Sequence, residues 1–73
     1  MGKRDFIVVQ RNIKALLKRR GLRYKDIAVA IGLSTSTFKK LMGVNGRPLT
    51  VDEVVSIARY LRVDIGEILE GVR

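Results

Sequence analysis

The stretch Tyr24-Lys25-Asp26-Ile27-Ala28-Val29-Ala30-Ile31-Gly32-Leu33-Ser34-Thr35-Ser36-Thr37-Phe38-Lys39-Lys40-Leu41-Met42 decides the fold. Ile27, Ala28 and Ile31 recur at helical spacing, which predicts a helix over about 24–31. Gly32 ends it and can take the positive φ that a tight turn needs. Ser34 is a strong N-cap for a second helix running to Leu41 or Met42, with Phe38 and Leu41 turned inward. Only Gly32 and Leu33 separate the two, so they must cross steeply, and Ala28 permits a close approach. The spacing predicts a helix-turn-helix at about 24–42.

The outward positions of the second helix are Thr35, Ser36, Thr37, Lys39 and Lys40. They are small or basic, and each can hydrogen-bond. No acid occurs between Asp26 and Asp52, so nothing on this face repels an anion. A helix start capped by Ser34 offers free N–H groups to a phosphate. Its first residues can reach base edges in a major groove about 12 Å wide, where Lys addresses guanine O6 and N7 and hydroxyls bond to several bases. Taken singly, Ser34–Thr37 is a capped helix start and Lys39-Lys40 a solvated face. Their combination with flanking basic residues points to duplex DNA.

Working outward, three more helices follow from the pattern. Phe6, Val9, Ile13, Leu16 and Leu17 make one apolar face of a helix that starts after Asp5 as N-cap and stops at Gly21. Ile7 and Val8 fall off this stripe, which leaves them exposed or leaves residues 6–9 extended. Thr50 and Glu53 have capping-box spacing ahead of Val54, Ile57, Ala58 and Leu61. Asp64 and Glu67 repeat that spacing before a short helix carrying Ile65, Ile68 and Leu69. The only proline, Pro48, lies in the one loop-like cluster, Gly43–Pro48. The expectation is an all-α, five-helix single domain over 1–73.

Charge is lopsided. Of 15 Lys+Arg and 7 Asp+Glu, net +8, residues 1–47 hold twelve basic and two acidic residues, a balance of +10, and residues 48–73 a balance of −2. Such a field suits a polyanion, nucleic acid or an anionic membrane surface. Cysteine and histidine are absent. That removes disulfides, thiolate metal sites and the commonest general base, and no catalytic constellation, metal site, cofactor or small-molecule ligand is readable. No apolar run approaches the roughly 20 residues of a membrane span, and no signal peptide is read. The expected location is cytoplasmic.

Beyond composition, the chain resembles the helix-turn-helix domain of the phage lambda repressor and Cro family. The resemblance runs from about Asn12 to Leu69. Its carriers are Asn12–Leu17, Gly21-Leu22, Asp26-Ile27-Ala28, Gly32-Leu33-Ser34, Ser36-Thr37-Phe38, Pro48, and Ile57–Asp64 followed by Glu67-Ile68-Leu69. It implies a dimer on a palindromic operator, with the third helix in the major groove. Thr35, Ser36 and Lys40 would face bases, joined by Lys39. Ser34, Thr37, Tyr24 and the loop residues Asn45 and Arg47 would contact phosphates. Arg23 and Lys25 would add to that phosphate grip.

The chain departs from the family's habits at four places. Tyr24 replaces a phosphate-binding Gln, Arg23 replaces a Ser, Thr or Asn cap, and Thr35 replaces a Gln that pairs with adenine. The family's buried Arg–Glu pair between helix one and the end of helix three maps onto Leu17 and Met42, predicted here as core residues in contact. The implied function is a transcriptional repressor acting by promoter occlusion. The homodimer surface is expected on the C-terminal helix, at Ile65, Ile68 and Leu69. The alternatives are an antitoxin or mobile-element regulator whose main partner is a protein, and a protein-interaction or membrane-surface module using the basic first helix.

Overall fold

In the structure, a computed structural model, residues 3–43 and 46–72 are described, with side chains from Asp5 onward. They form α1 (Lys3–Arg20), α2 (Tyr24–Ala30), α3 (Thr35–Leu41), α4 (Val51–Leu61) and α5 (Ile65–Ile68), and no strand is found among them. The fold class is therefore all-helical, as expected.

Helix α1 starts earlier than the N-cap reading of Asp5 implied. Asp5 lies inside the first turn, where its charge still complements the positive end of the helix dipole. Residues 6–9 are helical because Phe6, Val9 and Gln10 all enter the core, while Ile7 stays 55% exposed. The buried stripe continues through Ile13, Leu16 and Leu17. Because the core consumes this stripe, none of it remains to lie on a membrane surface. No helix among the described residues is long and apolar enough to cross a membrane.

Three helices end in the same way. After α1, Leu22 N–H donates to Leu17 O at 2.9 Å and Gly21 N–H to Lys18 O at 3.2 Å, with Gly21 at φ +66°. After α2, Leu33 donates to Ala28 O at 2.8 Å and Gly32 to Val29 O at 3.2 Å, with Gly32 at φ +79°. Both are Schellman motifs, which satisfy carbonyls the helix leaves unbonded. After α4 the bonds are Val63 N to Ala58 O and Arg62 N to Arg59 O, but the left-handed residue is Arg62, at φ 55°.

The core joins residues of every helix: Ile13 of α1, Ile27 of α2, Phe38 of α3, Ile57 of α4 and Ile68 of α5 are fully buried. Leu17 and Met42, the expected apolar replacement for an ion pair, are each 2% exposed within this cluster. Helix α4 begins as expected. Thr50 Oγ accepts from Glu53 N–H at 3.1 Å, and Glu53 Oε1 accepts from Thr50 N–H at 2.8 Å.

Helix α5 corrects two expectations. Asp64 is its N-cap, but its side chain makes no cap bond, so the second capping box does not form. The element is tied down from α1 instead, where Asn12 Nδ2 donates to Ile68 O and Glu70 O, each at 2.7 Å. The second correction concerns the dimer surface. Ile68 is fully buried and Leu69 and Val72 pack partly buried on the core, so of the expected trio Ile68 is taken by the core, Leu69 is partly so, and Ile65 stays 41% exposed.

Candidate nucleic-acid interface

The site begins with Arg23, the N-cap of α2, whose side chain makes no cap bond. Its guanidinium is exposed, as is the Lys25 ammonium. Tyr24 has a packing role beside its expected phosphate role. Its ring is half-buried and meets the Phe38 ring edge-on, with centroids 5.2 Å apart and planes at 73°. This geometry suits the aromatic quadrupole. Tyr24 therefore braces α2 against α3, and only its hydroxyl could serve a ligand.

The turn Gly32-Leu33-Ser34 then redirects the chain. Ser34 Oγ accepts from Thr37 N–H at 3.1 Å and donates to Thr37 Oγ1 at 2.8 Å. Ser34 thus spends its proton inside the motif. The Thr37 hydroxyl keeps its own proton, so it is the better outward donor of the pair. Helical geometry leaves the first N–H groups of α3 without intrahelical acceptors.

Phe38 and Leu41 are buried and anchor α3. Ser36, Thr37, Lys39 and Lys40 are exposed, and Thr35 is half-buried. Ser36 lies three and four residues before Lys39 and Lys40, so these three share one face. Two turns of helix, about 10–12 Å across with side chains, match a groove about 12 Å wide.

The loop after α3 carries the last expected contacts. Asn45 lies outside the described residues. Arg47 is exposed but engaged. Nη1 donates to Glu53 Oε1 at 2.8 Å and to Pro48 O at 3.1 Å, and Nη2 donates to Glu53 Oε2 at 2.7 Å. The guanidinium holds the Glu53 carboxyl at about 2, well below its ordinary range, with the Thr50 N–H helping and burial opposing. Three of the five Arg47 N–H donors are thus used, and a phosphate could reach the remaining Nε–H and Nη2–H. Gly46 seats against the end of α3. A Cβ there would meet Leu41 O at 2.8 Å, with Lys40 O closer still.

One residue that contacts the end of α3 was missed by sequence reasoning. Gln10 is the only buried polar side chain among the described residues. Its Nε2 donates to Leu41 O at 2.6 Å and Gly43 O at 2.9 Å, at the C-terminal end of α3. The signal was present: position 10 falls on the stripe of Phe6, Val9, Ile13 and Leu17. A lone amide on an apolar stripe needs buried partners. It makes the polar link between α1 and the end of α3 that Leu17 and Met42 do not.

Among the described residues, no group of three or more acids is placed to hold a metal ion. Compared with known proteins, residues 12–72 match the family model of the Cro/C1-type HTH DNA-binding domain. No individual curated protein and no solved structure matches the chain.

Proposed function

Since the chain belongs to the Cro/C1-type helix-turn-helix DNA-binding domain family, we propose that it is a sequence-specific transcriptional regulator that lays α3 in the major groove. The observation that carries this reading is the division of α3. Phe38 and Leu41 are locked in the core, while Ser36, Thr37, Lys39 and Lys40 form an acid-free outer face. Ser36 and Lys40, with Lys39 and the half-buried Thr35, read base edges. Arg23, Lys25, the Thr37 hydroxyl and the backbone N–H groups that follow the Ser34 cap grip phosphates, aided by the Tyr24 hydroxyl and the 45–47 loop. Each phosphate neutralised by Lys or Arg steepens the salt dependence by about 0.9 in log–log slope.

Occupying the groove is sufficient to block a promoter, so repression by occlusion is the mechanism the domain supports by itself. A homodimer on a palindromic site would double the readout, with half-sites about 34–36 Å apart. Its interface cannot use Ile68 without opening the core.

Selection of bound sites from random duplexes tests the reading. The wild type should enrich one motif, and Lys40→Ala and Ser36→Ala should each relax it at specific positions. A wild type that enriches nothing, with variants that bind random DNA equally well, would overturn it. Light scattering with and without the selected duplex reports the dimer.

A further inference from the structure

We propose that Gln10 is the positioning residue of the reading helix. From inside the core, its carboxamide fixes the C-terminal end of α3 and so the angle at which Ser36 and Lys40 are presented. The inference rests on the reading of α3 as the groove helix and extends it to a residue that touches no DNA.

The argument starts from the length of α3. Seven residues make two turns, so few of its own hydrogen bonds hold it, and its direction must come from outside. At its start, Ser34 and Thr37 bond to each other. They define where the helix begins but not how its far end lies on the rest of the domain. On its inner face, Phe38 and Leu41 resist leaving the core. Apolar burial is non-directional, and the edge-on Tyr24–Phe38 contact braces the middle of α3 against α2, so the end of the helix is what these contacts leave comparatively soft.

Directional restraint is found at the other end. The carbonyls of a helix's last turn lack intrahelical donors. Gln10 supplies both of its amide protons there, to Leu41 O and Gly43 O, across 31 and 33 residues of sequence. Two carbonyl acceptors also dictate which end of the amide faces α3, because only the NH2 group can donate. Gly46 also rests on this end, against the Lys40 and Leu41 carbonyls. The end of α3 is thus held by an α1 amide and met by a loop backbone. Loosening it leaves every Lys and Arg in place. What falls first is discrimination between sequences, while attraction to phosphate persists.

The test uses the full chain and the duplex selected by the wild type. Gln10→Met keeps length and volume but has no donor. Its preference for the selected duplex over a scrambled one should fall by about tenfold or more, the scale of losing one base readout. Its affinity for the scrambled duplex should stay within about twofold, with an unchanged salt slope, because no phosphate-binding group has been altered. A wild-type preference ratio in Gln10→Met would overturn the inference and leave the groove-reading proposal intact. A wild type that selects no motif would overturn both.

Circular dichroism checks that Gln10→Met folds. If it does not, Gln10→Asn keeps the amide one methylene short of its partners. Amide shifts should then concentrate at Lys39–Gly43, accompanied by the same loss of preference, and an undiminished preference would again overturn the inference. In the wild type, the Gln10 side-chain amide protons should exchange slowly and show proximity to Gly43. Rapid exchange without that proximity would equally overturn it.

Discussion

Helices α3 and α4 are held in opposite ways. Helix α4 is 11 residues long, opens with a complete capping box, and buries one stripe of Val54, Ile57, Ala58 and Leu61. Its start is written within four consecutive residues. Helix α3 is seven residues long, and although Ser34 caps its start, its end is held by Gln10 from α1 and by Gly46 from the following loop. The element proposed to read DNA depends on distant parts of the chain more than α4 does. A reading helix needs an outer face free of packing, so it has fewer of its own positions to spend on stability.

The largest effect should follow from removing the anchor of α3. Phe38 is fully buried and braced by Tyr24, so Phe38→Ala should cost about 3–5 kcal/mol. Urea unfolding measures this. A loss as small as that of a surface substitution would break the claim that tertiary packing holds α3.

Next comes the end of α3 itself. Gly46→Ala places a methyl against backbone atoms of Lys40 and Leu41, which must shift, at about 1–3 kcal/mol. Amide shifts should appear at the end of α3 and spare α4. Shifts confined to α4 would reverse the comparison.

Helix α4 is sensitive to acid at its own start. Glu53 is held at about 2 by Arg47 and Thr50. Its folded value lies below its unfolded one, so its contribution is complete above the ordinary carboxylate range. That contribution is lost as pH falls toward about 2. For a cap joined to an exposed ion pair, about 1–2 kcal/mol is at stake. The acid limb of wild-type stability should therefore be shallower in Glu53→Gln, whose amide can still accept from Thr50 N–H. Identical limbs would remove Glu53 from the account.

The smallest effect sharpens the contrast by giving α2 the local signal that α4 has. Arg23→Ser supplies the missing cap acceptor and should stabilise the domain by about 0.5–1 kcal/mol. The same change should lower the salt slope of DNA binding by about 1. A more stable variant with an unchanged slope would free Arg23 from the phosphate role.

Local signals made much of the molecule legible. Gly21 and Gly32 marked two helix ends because a left-handed residue there is cheap only for glycine. Arg62 takes the same conformation at the end of α4 without announcing it. Ser34 and Thr50 marked two helix starts because their oxygens accept from N–H groups three residues on. Asp64 and Glu67 had the same spacing without the bond, and α5 is tied down from Asn12 at its other end instead. Lys39 and Lys40 were legible as an outer face by their spacing from Phe38. Arg47 was legible as a cation near the groove, but not as one already paired with Glu53 six residues on.

The sequence by itself determined the helix count, the turn at Gly32, the inward and outward sides of α3, and the basic bias of its surroundings. These follow from periodicity, capping and charge, which act over a few residues. Only the tertiary structure decided that Ile68 belongs to the core, that Tyr24 braces Phe38, and that Gln10 reaches the carbonyls at the end of α3. Each of these is a contact between separate elements. Burial and hydrogen-bond satisfaction there depend on how the helices cross, which no single segment specifies.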